Sequence, residues 1–173
     1  MELSASMERF VLHWGEMGTR WGVNRSVAQI HALLYLSPNP LPAEEIAEIL
    51  GIARSNVSTS LKELQSWKLV RLSHALGDRR DHFTTETDLW QLLLTIVEER
   101  KQREIDPTLA VLRQCVDEAE DDPHTPKEVK RRMTRMLDFM ETLTTWYRQM
   151  VRLPKGTLVA LMKMGGKVAK LVS

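Results

Sequence analysis

The 173-residue chain is 43 % apolar and carries a formal net charge of +1, so it is long enough for one compact domain or a small module with a helical annex. Its single cysteine, Cys115, excludes an internal disulfide and a paired-cysteine metal or redox site. The first twenty residues carry several charges and no long apolar block, which argues against a signal peptide or a membrane span. We therefore expect a cytoplasmic protein without a membrane partner.

Charge is distributed unevenly along the chain. Residues 51 to 83 contain six bases and three acids, whereas residues 98 to 122 contain nine acids and four bases. The sequence therefore predicts a basic module followed by an acidic helical region.

The first segments have the spacing of amphipathic helices. Apolar residues recur at helical spacing from 4 to 20, after which Gly22 and Asn24 interrupt the pattern. A second helix is expected from about Ser26, whose side chain is a candidate N-cap.

Two further helices and a hairpin follow. Pro42 suits the first turn of one helix, Gly51 supplies the tight turn after it, and residues 54 to 66 form the next helix. Two short strands, at 69–74 and 82–85, flank a charged turn. This order is typical of a helix-turn-helix with a two-stranded wing.

The second half of the sequence is helical. Pro107 either kinks a helix that begins after Asp88 or starts another with Asp106 as its cap. A seam at four-three-four spacing either pairs with a second chain or closes an intramolecular bundle; its residues are Ile105, Leu109, Leu112 and Val116. A long helix over about 127–151 and a lysine-rich apolar tail over 154–173 complete the chain.

The second helix of the helix-turn-helix has the composition of a DNA recognition helix. Such a helix needs short polar or basic side chains opposite its buried face, because bulky groups keep it out of the major groove. Asn56 and Ser58 are candidates for base edges, and Arg54 and Lys62 are candidates for phosphates. The predicted DNA-binding residues are Arg54, Ser55, Asn56, Ser58, Thr59, Lys62 and, at the tip of the wing, Arg79 and Arg80.

Three motifs carry a family resemblance: HWGEMGTRWGVNRSVAQIHALLYLS at 13–37, EEIAEILGIARSNVSTSLKELQSWKLVRL at 44–72 and GDRRDHF at 77–83. Over roughly its first hundred residues the chain resembles the MarR family of winged-helix regulators, and within it the glycine-betaine-synthesis regulator (GbsR) branch. The resemblance implies a symmetric dimer with intertwined terminal helices on a roughly palindromic operator.

The resemblance also assigns roles at the wing. Residues 78–80 match the family's Asp-x-Arg pattern, which implies that the arginine contacts DNA and that Asp78 orients it. Ala53 departs from the serine or threonine that ordinarily caps the recognition helix, and Ser55 is the candidate replacement.

Tryptophans suggest an effector pocket. Aromatic faces attract quaternary ammonium groups, and the resemblance implies a response to choline or betaine in this branch. The alternative is ordinary aromatic packing in the core and the dimer. The candidate effector-binding residues are Trp14, Trp21, Trp90 and Trp146.

The sequence thus predicts a mainly α protein that consists of a winged helix-turn-helix and a helical dimerisation region. Residues 1–25 form an N-terminal helix of that region, 26–86 the DNA-binding domain, and 87–173 the C-terminal dimerisation and effector region. The predicted function is a homodimeric repressor that binds double-stranded DNA and is released by a small effector. The alternatives are a winged-helix protein-interaction module and attachment to membranes through the tail. No catalytic residue, cofactor or metal site is expected, because no catalytic or metal-ligand motif is present.

Overall fold

The computed structural model describes residues 1–74 and 76–165, which are mainly helical. The helices are α1 (Ala5–Arg20), α2 (Arg25–Leu36), α3 (Ala43–Leu50), α4 (Arg54–Ser66), α5 (Leu89–Arg100), α6 (Asp106–Asp121), α7 (Lys127–Met150) and α8 (Lys155–Met164). The strands are β1 (Leu41–Pro42), β2 (Val70–Ser73) and β3 (His82–Thr85). The chain divides into two compact units between Ile96 and Val97. The mainly α, winged helix-turn-helix fold predicted from the sequence is confirmed, whereas the predicted tail lies outside the described residues from 166 onward.

Helix α2 is the centre of the first unit. Its side chains Ile30 and Leu33 are fully buried, and Ile46 of α3 and Val57 of α4 pack into the same core. Burying an aliphatic side chain of this size stabilises a fold by about 1.5–3 kcal/mol. The core therefore holds the helix-turn-helix against α2.

The starts of two helices differ from the sequence prediction. Asn24 caps α2 by accepting a hydrogen bond from the backbone N–H of Ser26 at 2.9 Å, so Ser26 is the recipient of the cap and does not supply it. Helix α4 begins after Ala53, which has no side chain able to cap, and Ser55 lies inside the first turn. The connection before it uses Gly51 in the left-handed conformation, at a φ of 62°, as expected for a glycine turn.

The wing belongs to a three-stranded sheet in the order β1-β3-β2, not to a two-stranded hairpin alone. Strands β2 and β3 pair antiparallel as predicted, with Leu72 opposite Phe83. Leu41 and Pro42 add β1 to the other edge of β3. A strand of two residues has no alternation to recognise in a sequence, and Pro42 is tolerated there because β1 is an edge.

The second unit begins within α5, which continues through a π-helical turn, Lys101–Ile105, into α6. Pro107 lies in the first turn of α6, directly after the π-helical turn, so the proline accompanies an irregularity within one continuous helical run and does not begin a separate helix. Ile105 holds the cap position that was predicted for Asp106, whose carboxylate instead accepts hydrogen bonds from Lys101 Nζ at 2.8 and 2.9 Å.

The predicted seam of α6 packs against α7 of the same chain. Leu109 and Val116 are buried there, and Arg113 pairs with Glu141 at 2.7 Å. Within the described residues no helix is both long and apolar enough to cross a membrane.

Candidate nucleic-acid interface

Helix α4 presents the predicted polar face to solvent. Val57, Leu61 and Leu64 are buried on its inner side. Arg54, Ser55, Asn56, Thr59 and Lys62 are exposed on the outer side, and Ser58 is half-buried. The helix therefore carries the exposed set that the sequence predicts, and its contacts with DNA stay a prediction.

Arg54 is held in place by two contacts within the protein. Its Nε and Nη2 atoms lie 2.9 and 2.8 Å from Oε1 of Glu44, and its Nη1 donates to the Ser58 hydroxyl at 2.6 Å. The guanidinium thus lies across the start of α4, with Glu44 of α3 as its counter-charge.

Asn56 is exposed, but its amide is engaged on both sides. Its Nδ2 donates to the Ser26 hydroxyl at 3.0 Å, and its Oδ1 accepts from the buried Ser60 hydroxyl at 3.3 Å. These bonds connect the recognition helix to the start of α2. A base contact by Asn56 requires the amide to share or to give up these partners.

The side chains of Ser55, Thr59 and Lys62 on α4 differ in whether they already have a hydrogen-bond partner within the protein. The Thr59 hydroxyl donates to the Ser55 carbonyl at 3.1 Å, which is a bond within the helix. Among the described residues, the Ser55 hydroxyl and the Lys62 ammonium form no hydrogen bond or ion pair, so both are available to a ligand.

The wing carries one oriented arginine and one without a partner. The carboxylate of Asp78 accepts from the Arg80 backbone N–H at 2.9 Å and from its Nε at 3.0 Å. These hydrogen bonds hold the pKa of Asp78 well below its usual range and raise the pKa of Arg80. His82 Nδ1 donates to the Arg80 carbonyl at 2.9 Å, which fixes the base of the turn. Arg79 is exposed and, within the described part of the chain, makes no hydrogen bond or ion pair.

The sheet brings the wing and the recognition helix to one side of the first unit. Strand β1 pairs with β3 and runs directly into α3, which places Glu44 near the wing. Hydrogen bonds from the backbone N–H of Glu44 itself and from the Arg54 guanidinium lower the pKa of the Glu44 carboxyl. The positive charges of Arg54 and Arg80 also lower it. The sequence could not indicate the pairing of Glu44 with Arg54, because the two residues are ten positions apart and lie on either side of a turn.

A separate, mostly apolar cavity of about 290 Å³ lies in the first unit. Trp14 stacks on Phe10 in its wall, with ring centroids 5.5 Å apart and planes at 13°. The cavity is lined by Phe10, Trp14, His31, Ala32, Tyr35, Leu89 and Leu92.

Of the four candidate effector residues, only Trp14 lines this cavity. Trp21 ends α1 and is 59 % exposed, whereas Trp90 is half-buried in the first turn of α5. Trp146 lies on α7 in the second unit and is 58 % exposed. The effector role of the four tryptophans stays a prediction.

His31 links the cavity to the wing strands. Its Nε2 lies 3.1 Å from the Thr85 hydroxyl, and that hydroxyl donates to the Leu69 carbonyl at 2.7 Å. Because Thr85 has given its only hydroxyl proton to Leu69, His31 is the donor in the first bond. Burial lowers the pKa of His31 to about 4, so the ring is neutral at pH 7. The sequence could not indicate this role, since the partners are 54 residues apart.

Comparison with known proteins identifies relatives of this region. A sequence model described as the MarR family matches residues 21–81. Over 140 residues the chain is 21 % identical to the HTH-type transcriptional repressor GbsR of Bacillus subtilis (strain 168). That alignment covers 77 % of this chain and 75 % of the Bacillus protein. A crystal structure described as a transcriptional regulator aligns with a TM-score of 0.68 at 19 % identity, over 83 % of this chain and 94 % of that one. The matched residues 21–81 include α2, the helix-turn-helix and the wing turn.

Proposed function

We propose that the chain is a member of the MarR family, whose sequence model matches residues 21–81, and that it is a sequence-specific DNA-binding transcriptional regulator. It acts as a homodimeric repressor on a pseudo-palindromic operator. A small effector releases it, and a quaternary ammonium compound such as choline or betaine is the candidate. The similarity to the protein named transcriptional repressor GbsR supports repression.

DNA binding rests on one observation, the convergence of the recognition helix and the wing. Glu44 contacts Arg54 of α4 and lines the same surface cavity as Arg80 of the wing, so both cations lie on the same side of the unit. Ser55 and Lys62 are exposed on that side, and among the described residues the Ser55 hydroxyl and the Lys62 ammonium have no hydrogen-bond or ion-pair partner. This combination suits a helix in the major groove with an arginine-tipped hairpin beside it.

Dimer formation is supported by an apolar seam on α7. Met136, Phe139, Leu143 and Trp146 recur at three-four-three spacing and are between 48 and 60 % exposed. Such spacing is typical of paired helices. A second copy that covers this seam removes it from water and doubles the number of phosphate contacts.

Effector binding is supported by the aromatic cavity. The rings of Phe10, Trp14 and Tyr35 offer faces to a quaternary ammonium group, which carries no proton to donate and is attracted by ring quadrupoles. Because His31 lines the cavity and is hydrogen-bonded to Thr85 of β3, an occupant that displaces His31 also shifts the base of the wing.

Selection of bound duplexes from a random pool tests the function directly. We expect enrichment of an inverted repeat whose half-sites are about one helical turn apart, since two recognition helices must enter successive major grooves on one face. Recovery of unrelated sequences at the frequency of the input pool would contradict sequence-specific binding. Enrichment of a single half-site would contradict the dimer and leave DNA binding intact.

A further inference from the structure

Glu44 places a negative charge among the cations of the proposed DNA-binding face. Nε of Arg54 donates to Oε1 of Glu44 at 2.9 Å, Nη2 lies 2.8 Å from the same oxygen as an ion pair, and Nη1 donates to Ser58. All three guanidinium nitrogens are therefore engaged inside the free protein. A phosphate oxygen that approaches the Nε and Nη2 edge of Arg54, which is one of the edges that can bind an oxyanion through two N–H groups, meets the position that the carboxylate already holds.

Fold stability gives little reason for this pair. The Arg54 and Glu44 side chains are 47 % and 55 % exposed, and ion pairs at such positions contribute little to the free energy of unfolding. Glu45 also lies in the first turn of α3, so the helix end retains an acid without Glu44. The contact consequently matters more for what binds Arg54 than for the fold.

We propose that Glu44 is an intramolecular competitor of DNA phosphate, which occupies the Arg54 guanidinium in the free protein and weakens DNA binding. This inference rests on the proposed function. While Glu44 compensates the charge of Arg54, that side chain neutralises no phosphate and displaces no condensed cation from the DNA, so Glu44 also reduces the salt dependence of binding. A residue that only orients Arg54 for DNA has the opposite effect, because its loss weakens binding.

Glu44→Gln tests the proposal, since it removes the charge and keeps the shape of the side chain. Glu48→Gln is the matched control: Glu48 is exposed, lies one turn further along α3, and its side chain forms no hydrogen bond or ion pair in the described part of the chain. The full chain is titrated against a fluorescent duplex of arbitrary sequence at several salt concentrations, with anisotropy as the signal.

We expect Glu44→Gln to bind about twofold to fivefold more tightly than the parent at low salt, which is the range that exposed ion pairs contribute. The slope of log affinity against log salt should steepen by about one, as for one more released counter-ion. Glu48→Gln should change both quantities less. In an Arg54→Gln background, the gain from Glu44→Gln should largely disappear.

Three results overturn the inference: Glu44→Gln binding no tighter than the parent, Glu48→Gln producing an equal gain, or the gain surviving in the Arg54→Gln background. In each of these cases the parent still binds DNA, so the proposed function stands. A parent chain that binds no duplex even at low salt overturns the proposed function and this inference together. Circular dichroism of each variant confirms that the helices are intact.

Discussion

Asn56 illustrates how a side chain lies on the proposed DNA face without being free to contact DNA. Its amide forms hydrogen bonds with Ser26 and Ser60, whereas the hydroxyl of the neighbouring Ser55 and the ammonium of Lys62 have no partner among the described residues. Breaking a hydrogen bond to a buried hydroxyl leaves that group unsatisfied, which has a free-energy cost of about 1–3 kcal/mol. We therefore expect Ser55 and Lys62 to make contacts at a lower cost than Asn56.

At the wing, Arg79→Ala should weaken binding to all duplexes alike and reduce the salt slope by about one, because Arg79 has no partner in the described chain and suits a phosphate. Anisotropy titrations at several salt concentrations measure both quantities. Arg20→Ala, on the last turn of α1, is the control for loss of one positive charge elsewhere. Equal behaviour of the two variants would contradict the assignment of the wing to DNA.

His31 predicts a pH dependence of stability. Burial lowers its pKa to about 4 from an ordinary value of 6.5, so between these values the unfolded chain binds more protons than the folded one. Stability contributed by the neutral ring is therefore present above pH 6.5 and is lost as the pH falls toward 4. From pH 7 to pH 5 the parent should lose about 2 kcal/mol more than His31→Gln. Urea unfolding of both proteins at the two pH values measures the difference, and parallel losses would contradict the assignment.

At the scale of elements, the sequence predicted what local pattern and turn chemistry determine. Helical spacing located the helix-turn-helix, Gly51 located its turn, and both strands of the wing were recognised within a residue of their ends. The missed features depend on distant partners: β1 exists only because Leu41 and Pro42 pair with β3. The bond between Asn56 and Ser26, thirty residues apart, is missed for the same reason.

The packing of α1 on α2 depends on Gly18. A Cβ added there would overlap the Cβ of Ala28, closer than non-bonded carbon atoms approach each other. Gly18→Ala gains up to about 1 kcal/mol of helix propensity, yet the helices must separate, and overpacking costs about 1–3 kcal/mol. We expect a lower melting temperature. In Gly156→Ala of α8 nothing lies within 4 Å of the added carbon, so that variant should not be destabilised.

At the scale of the whole molecule, the assembly depends on the seam of α7. Leu143→Glu places a charge in the middle of that seam and should yield a monomer in sedimentation velocity, with weaker operator binding as a consequence. Thr134→Glu adds the same charge to an exposed position of α7 outside the seam and should remain dimeric. A parent that sediments as a monomer would remove the dimer from the proposal.

Release by an effector is likewise a property of the whole molecule. Choline at millimolar concentration should change the tryptophan fluorescence of the parent, because Trp14 lines the cavity. The change should vanish in Trp14→Leu and persist in Trp21→Leu, whose tryptophan does not line that cavity. An unchanged spectrum of the parent would remove quaternary ammonium compounds as candidates.

The hydrogen bond from His31 to Thr85 has one more consequence. The imidazole proton on Nε2 is shielded from water as long as the strand that carries Thr85 stays in place. Such a proton exchanges slowly with solvent and gives its own resonance far downfield of the amides. The lifetime of that resonance in deuterated buffer would report how often the base of the wing detaches from α2, with no label attached to the protein.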